Sequence, residues 1–84
     1  MRARVYVTLK REVLDPQGEA VRKGLHALGI DGVKDVRVGK LIEVELDAPD
    51  GADVSALLES AASRLLANPV IEDYAIERVE PKAP

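Results

Sequence analysis

Residue types that carry nucleophilic catalysis are few in this sequence. The serines are Ser55, Ser60 and Ser63, and the single histidine is His26. A catalytic triad needs a nucleophile, a base and an orienting group within hydrogen-bond reach of one another, and nothing in the sequence indicates that arrangement. His26 lies beside the apolar stripe of a predicted helix, where an ordinary surface histidine is the favoured interpretation. We therefore expect no active site of the chain's own.

Carboxylates are plentiful but do not form a pattern that predicts acid–base chemistry or metal binding. Glu72 and Asp73 are neighbours in a predicted strand, so their side chains point to opposite faces of it. The chain has no cysteine, which excludes a disulfide framework and a cysteine-based zinc site. A single histidine and the lack of a spaced acidic calcium loop indicate no metal site. We expect this chain to bind no cofactor.

Two cations flank a glycine in the segment Arg37-Val38-Gly39-Lys40. Backbone N–H groups beside such a glycine can approach an anion. The simpler interpretation is a strand turn with solubilising charges, and we favour it. Neither a Walker A nor a Rossmann glycine pattern is present.

Charge is divided unevenly along the chain, although the formal net charge is only −3. Residues 1–40 have nine Lys/Arg and five Asp/Glu, whereas residues 41–84 have three Lys/Arg and ten Asp/Glu. The split indicates either a basic face for an anionic ligand or basic strands paired with acidic strands, and we favour the second. Nucleic-acid binding is rejected, because a sheet face that offers Tyr6 opposite Glu43 and Glu45 lacks stacking aromatics and repels phosphate.

Apolar and polar residues alternate over 3–9, which predicts a first strand at about 2–10. Asp15 then suits the N-cap of a helix and Pro16 suits its first position. Gly29 is placed to end this helix in a left-handed conformation. The apolar positions of the helix share one face: Val21, Leu25 and Leu28.

Residues 33–47 contain two strand-like stretches of the same parity, separated by Gly39. A two-residue hairpin loop at Gly39-Lys40 would turn Glu43 and Glu45 inward, so it is disfavoured. A three-residue loop at 39–41 pairs Val38 with Ile42 and keeps the parity. A single long strand bent at Gly39 also keeps it, and sends half of the strand towards a partner. Both alternatives remain open.

The strongest helical pattern covers about 54–67, with Asp53 as its cap and Asn68-Pro69 as its stop. Turn residues at 48–51 precede it, and a last strand follows at about 70–79. The order β-α-β-β-α-β predicts an α+β fold in two layers, with two helices on one face of a mainly antiparallel four-stranded sheet. The sequence leaves open strand exchange or sheet extension across a dimer.

We expect one domain over 1–84, with a frayed tail at 79–84. A chain of 84 residues has a small core, so self-association is a common source of added stability. The sequence has no apolar run long enough to span a membrane and no signal-peptide pattern at its start. Together with the missing cysteines, this favours a cytoplasmic protein.

Three stretches of the chain resemble the PurS family, the small subunits of phosphoribosylformylglycinamidine synthase. They cover residues 5–18, 33–44 and 65–74 in the order found in the family. The combination of Leu14-Asp15-Pro16-Gln17-Gly18 with Val36-Arg37-Val38-Gly39-Lys40 is the most specific part of the resemblance. The variable loop near 47–53 is where the family tolerates differences.

The resemblance implies a non-catalytic subunit of an ATP-dependent C–N ligase complex of the glutamine amidotransferase type. That complex makes formylglycinamidine ribonucleotide from formylglycinamide ribonucleotide, glutamine and ATP in purine biosynthesis. The expected partners are a glutaminase subunit, a large synthase subunit that binds ATP and magnesium, and a second copy in a homodimer or dimer of dimers. A ligand-sensing regulatory domain of the same element order is the alternative. The candidate partner-contact residues are Asp15, Gln17, Gly18, Arg37, Gly39 and Lys40.

Overall fold

The computed structural model describes residues 1–47 and 53–79. Its elements in chain order are β1 (Arg2–Leu9), α1 (Pro16–Ala27), β2 (Lys40–Glu45), α2 (Val54–Ala61), a π-helical turn (Ala62–Leu66) and β3 (Glu72–Val79). The predicted turn at 48–51 and residues 80–84 of the predicted tail lie outside the described residues. No helix in the described ranges is long and apolar enough to cross a membrane.

The described strands form one antiparallel sheet in the order β2-β1-β3. Val5 of β1 lies opposite Ile42 of β2 and Ile76 of β3, so apolar side chains from all three strands meet on one face. Ala3, Val5 and Val7 are buried on this face, as the alternation of β1 predicts. The sequence thus places β1 correctly, and the fold makes it the central strand.

The helix α2 covers the apolar face of the sheet. Asp53 caps it by accepting a hydrogen bond of 3.0 Å from the Ala56 N–H, as the sequence predicts. Leu58, Ala62 and Ala67 are buried, and the two alanines join Val5 and Val7 in one core cluster. Small side chains at 62 and 67 allow the backbone to approach the sheet closely, so the core sits between β1 and the chain that continues from α2 through the π-helical turn.

The described part of this chain forms a sheet of three strands, so a single copy does not supply the fourth strand expected from the sequence. Residues 33–39 are not paired in the sheet, and no backbone–backbone hydrogen bond joins 33–38 to another described residue. Val38 and Ile42 are therefore not paired across a hairpin. The physical reason is that the segment runs along α1: the Val38 N–H donates to Asp15, and the Val36 carbonyl lies against Gly18.

The expectation of two helices on one face is wrong, because only α2 packs on the sheet. Gly18 is the one buried residue of α1, and Val21 of its apolar stripe and Leu28 at its C-terminal cap are 44% and 77% exposed. The Cα radius of gyration is 16.7 Å, against about 12 Å for a compact domain of this length. The molecule is extended because α1 lies away from the core.

The unequal charge of the two halves is explained by ion pairs between them. Arg4 lies 3.8 Å from Glu43 and 3.4 Å from Glu77, which flank it on β2 and β3. Lys10 pairs with Asp73 at 3.1 Å. These contacts confirm the interpretation that basic and acidic strands pair across the sheet. Each exposed pair contributes only about 0.2–1 kcal/mol to stability.

Candidate partner-contact site

Residues 11–39 form an arm that leaves the sheet after β1 and returns to it at β2. Within the arm, α1 and the extended segment 33–38 run side by side in opposite directions. The His26 Nε2 donates to the Val33 carbonyl oxygen at 2.7 Å near the far end. Gly18 meets Val36 and Asp15 meets Val38 near the sheet. The arm is therefore a helix–strand unit with its own internal contacts.

Asp15 joins the two ends of the arm. One carboxylate oxygen accepts the Gly18 N–H at 2.9 Å, which caps α1 as predicted, and the other accepts the Val38 N–H at 2.8 Å. These backbone N–H groups, with the nearby Arg37 guanidinium, lower the pKa of Asp15 below its ordinary value because they favour the charged carboxylate. The cap is thus also a link between distant parts of the chain.

Gly18 and Gly39 allow two segments of backbone to approach each other closely near the Asp15 link. A Cβ on Gly18 would lie 2.1 Å from the Val36 carbonyl oxygen, and one on Gly39 would lie 2.6 Å from the Val7 carbonyl oxygen. Both distances are too short for any side chain. In the same helix, a Cβ on Gly24 would meet nothing within 4 Å. The requirement for glycine is therefore specific to the base of the arm.

Arg37 ties the returning segment to the chain that precedes α1. Its guanidinium donates to the Val13 carbonyl oxygen at 2.6 Å and to the Arg11 carbonyl oxygen at 2.8 Å. A planar guanidinium can hold two acceptors at once, which a lysine ammonium cannot match. We call Asp15, Gly18, Arg37 and Gly39 the joint, because together they hold the base of the arm.

Gln17 and Lys40, the two remaining predicted contact residues, also lie at the base of the arm. With Glu72 and residues of the joint they line a cavity of about 240 Å³ at the base of the arm. The Lys40 ammonium lies 3.7 Å from the Glu72 carboxylate, whose side chain is only 15% exposed. The ion pair thus connects the start of β2 with the start of β3. All six predicted contact residues, distant in sequence, lie around the base of the arm.

A larger cavity of about 400 Å³ opens on the other side of the joint, between the start of α1 and residues 35–37. Leu14 is on its rim and is 88% exposed. Leu14, Val36 and Glu72 escaped the sequence-based selection of site residues. The sequence signal that could have indicated Leu14 is its apolar side chain directly before the Asp15 helix cap, a common feature of helix starts.

The polar groups of the arm are used in structural contacts. His26 binds the Val33 carbonyl, and Ser63 donates to the Glu59 carbonyl oxygen at 2.8 Å. Among the described residues, no group of three potential metal ligands comes together. What the arrangement does offer is an apolar helix face, an unpaired extended segment and a rigid polar base. These are features of a surface for another polypeptide.

Fold and site together define a small α+β docking module. The sequence model of the PurS family, described as phosphoribosylformylglycinamidine (FGAM) synthase, matches residues 2–80. The chain belongs to the PurS family. A phosphoribosylformylglycinamidine synthase subunit PurS from Synechocystis is 55% identical over 74 residues, which are 88% of this chain and 74% of that protein. The family expected from the sequence is confirmed.

Solved structures agree with the sequence comparison. PurS of Bacillus subtilis in its C2 crystal form has a TM-score of 0.79 at 46% identity, covering 90% of this chain and 94% of that one. A chain in the structure of PurLQS from Thermotoga maritima has a TM-score of 0.81 at 29% identity, covering 93% and 95%. These relatives support the subunit interpretation and give no support to the ligand-sensing alternative.

Proposed function

We propose that this chain is the bridging subunit of a phosphoribosylformylglycinamidine synthase complex. In this role it joins a glutaminase subunit to a large synthase subunit and assists the transfer of ammonia between them. The complex converts formylglycinamide ribonucleotide, glutamine and ATP into formylglycinamidine ribonucleotide, glutamate, ADP and phosphate. ATP and magnesium bind to the large subunit, and the complex works in the cytoplasm.

The observation that carries this proposal is the match to a chain of PurLQS along nearly the whole length of both chains. A second support comes from the arm. Its helix exposes Val21 and Leu28, and an apolar stripe of this kind is stabilised when another surface covers it. The contacts of His26 and Asp15 hold the arm together and do not cover the exposed side chains of Val21 and Leu28.

The physical advantage of a bridge lies in local concentration. Ammonia released into water is protonated and diluted before it reaches a second active site. Holding the two sites together raises the effective concentration of the intermediate without adding a catalytic group. A subunit with docking surfaces is sufficient for that purpose.

Reconstitution of the complex tests the proposal. The three purified chains are mixed with ATP, magnesium, glutamine and formylglycinamide ribonucleotide, and product is measured with and without this chain. We expect glutamine-dependent synthesis to require the chain, while synthesis from added ammonium chloride is much less affected. Glutamine-dependent product formation that is unchanged when the chain is omitted would refute the bridging role.

We further propose that the chain works as a homodimer, or as a dimer of dimers, with strand exchange. In this arrangement the extended segment 33–38 of one copy adds the fourth strand to the sheet of the other, and α1 covers part of that sheet. Two features support it: β2 is an edge strand among the described strands, and the backbone of 33–38 has no ladder partner within residues 1–47 and 53–79. Unpaired strand edges favour pairing with another chain.

Sedimentation velocity on the isolated chain tests this second proposal. We expect a dimer or larger species at micromolar concentration, with dissociation on dilution. A monomer that persists at tens of micromolar would contradict it. The reconstitution experiment above is independent, because a monomeric chain can still join two different subunits.

A further inference from the structure

Four hydrogen bonds hold the base of the arm, three of them between separate segments of the chain, whereas a flexible hinge would have few such bonds. Asp15 binds the Gly18 N–H and the Val38 N–H, and Arg37 binds the carbonyl oxygens of Arg11 and Val13. These bonds are formed within one chain and hold the arm although α1 lies away from the core. The direction of the arm is therefore set before any partner arrives.

We infer that the joint, formed by Asp15, Gly18, Arg37 and Gly39, is a rigid positioning device that presents the arm in a preformed orientation to a second copy. This inference rests on the proposed exchange dimer and deepens it. A flexible arm would have to lose conformational entropy on docking, whereas a preformed arm has lost it on folding. The joint thus increases the affinity of the dimer without contacting the partner.

The glycines at the joint support a fixed geometry. Because a Cβ on Gly18 would lie 2.1 Å from the Val36 carbonyl oxygen, α1 and the returning segment touch backbone to backbone at this point. Gly39, which follows this segment, brings the backbone close to β1, where a Cβ would lie 2.6 Å from the Val7 carbonyl oxygen. The arm is consequently packed against the sheet at its base and separated from it beyond.

The charges of the joint act in the same direction. The Asp15 carboxylate accepts two backbone N–H groups, and the Arg37 guanidinium donates to two backbone carbonyl oxygens. Charge-assisted hydrogen bonds of this type are stronger than neutral ones. A pair that binds four backbone groups resists rotation of the arm about any single bond.

Spin-label distance measurements test the inference directly. The chain has no cysteine, so Lys23→Cys on α1 and Glu45→Cys on β2 provide two exposed labelling sites. Labelled chains are diluted into a large excess of unlabelled chains, so that only distances within one chain are measured. We expect one narrow distance distribution in the otherwise unchanged protein and in a Gly24→Ala background.

The same measurement in Gly18→Ala and Arg37→Gln backgrounds decides the question. We expect a broadened or shifted distribution in both, together with a dimer dissociation constant that is larger by about tenfold or more. Asp15→Ala, which removes the bonds to the Gly18 and Val38 N–H groups, should broaden the distribution as well. Asp53→Ala removes the cap of α2 and no link to the arm, so it is the matched control and should leave the distribution narrow. Circular dichroism confirms that each variant remains folded, and Arg37→Lys should restore only part of the order.

A distribution that stays narrow and unshifted in Gly18→Ala and Arg37→Gln would overturn the inference, because the joint would not set the orientation. A broad distribution in the unchanged chain would overturn it as well. Neither result depends on the glutaminase or the large synthase subunit. Failure of the bridging proposal would appear only in the reconstitution assay, so the two are distinguishable.

Discussion

The two helices of this protein have similar sequence patterns and opposite surroundings. Both begin at an aspartate cap and both have an apolar stripe. The stripe of α2 is buried at Leu58 and at Ala62 of the following turn, whereas Leu28 of α1 is 77% exposed. Amphipathic periodicity therefore indicates that one face of a helix needs an apolar partner, but it does not indicate which chain supplies that partner.

The largest expected difference between the two regions is in stability. Leu58→Ala should lower the free energy of unfolding by about 2–5 kcal/mol, because it leaves a cavity between α2 and the sheet. Leu28→Ala should change it by less than about 0.5 kcal/mol in the monomer, since the side chain is already exposed. Urea denaturation at low protein concentration measures both values. Equal losses would mean that α1 is part of the same core.

Substitution in α1 should have the clearer effect when dimer association is measured in place of folding stability. Leu28→Ala should weaken the dimer about tenfold, because the apolar area it removes would be buried against a second copy. Sedimentation equilibrium measures this dissociation constant. Leu65→Ala, an exposed leucine outside the arm, is the matched control and should have little effect. Identical effects of the two substitutions would contradict the assignment of α1 to the interface.

Glycine substitutions within α1 sharpen the comparison at the level of the backbone. Gly24→Ala should stabilise the helix by about 1 kcal/mol, because alanine has the higher helix propensity and a Cβ there meets nothing within 4 Å. Gly18→Ala has the same propensity gain, yet its Cβ would clash with the Val36 carbonyl. Thermal unfolding should therefore show opposite shifts for the two variants, and shifts of the same sign would contradict the close contact.

Lowering the pH should remove the contribution of the joint to folding stability before it affects the apolar core beneath α2. The pKa of Asp15 is lowered in the folded chain by its hydrogen bonds from backbone N–H groups, with Arg37 contributing. Its stabilising contribution is therefore fully present above the ordinary aspartate pKa of about 3.9 and is lost as pH falls through the lower folded value.

The matched variant for this effect is Asp15→Asn, compared with the unchanged chain from pH 7 to pH 2.5. The difference in unfolding free energy should be constant above about pH 4.5 and should shrink below it. Glu19, whose pKa is also lowered, by its hydrogen bond with Arg22, is present in both proteins and cancels in the comparison. A difference that is independent of pH down to 2.5 would contradict the role of the ionised carboxylate.

The smallest effect is expected on the polar face of the sheet. Glu43→Gln removes one carboxylate beside Arg4, while Glu77 remains close to the same guanidinium. The cost should be about 0.2–1 kcal/mol at low ionic strength and should fall in 1 M salt. Urea denaturation at both salt concentrations measures it. A loss that is insensitive to salt would show that packing, and not charge, explains the contact.

Local sequence signals predicted the elements well. The alternation of β1, the caps at Asp15 and Asp53, and the left-handed Gly29 with its φ of 86° all agree with the structure. These features depend on neighbouring residues and their backbone preferences, which can be inferred from local residue types. The pairing of the fourth strand could not be predicted, because the alternation of 33–38 indicates an extended segment without indicating its hydrogen-bond partner.

The candidate site was predicted as two separate turns. Asp15, Gly18, Arg37 and Gly39 were chosen from two segments of the chain, and the structure brings these segments together. The second acceptor role of Asp15 could not be predicted, because it depends on the return of residue 38 to the start of α1. Glu72 was missed for the same reason, since its ion pair with Lys40 depends on the sheet.

Residue-resolved amide hydrogen exchange across 33–38 tests the central claim, that the arm is a docking element completed by another copy. It is measured by NMR above and below the dissociation constant of the dimer. We expect slow exchange of N–H groups within 33–37 only in the dimer, and protection of the Val38 N–H, bound to Asp15, at both concentrations. Rapid exchange throughout 33–37 in a fully associated sample would contradict it.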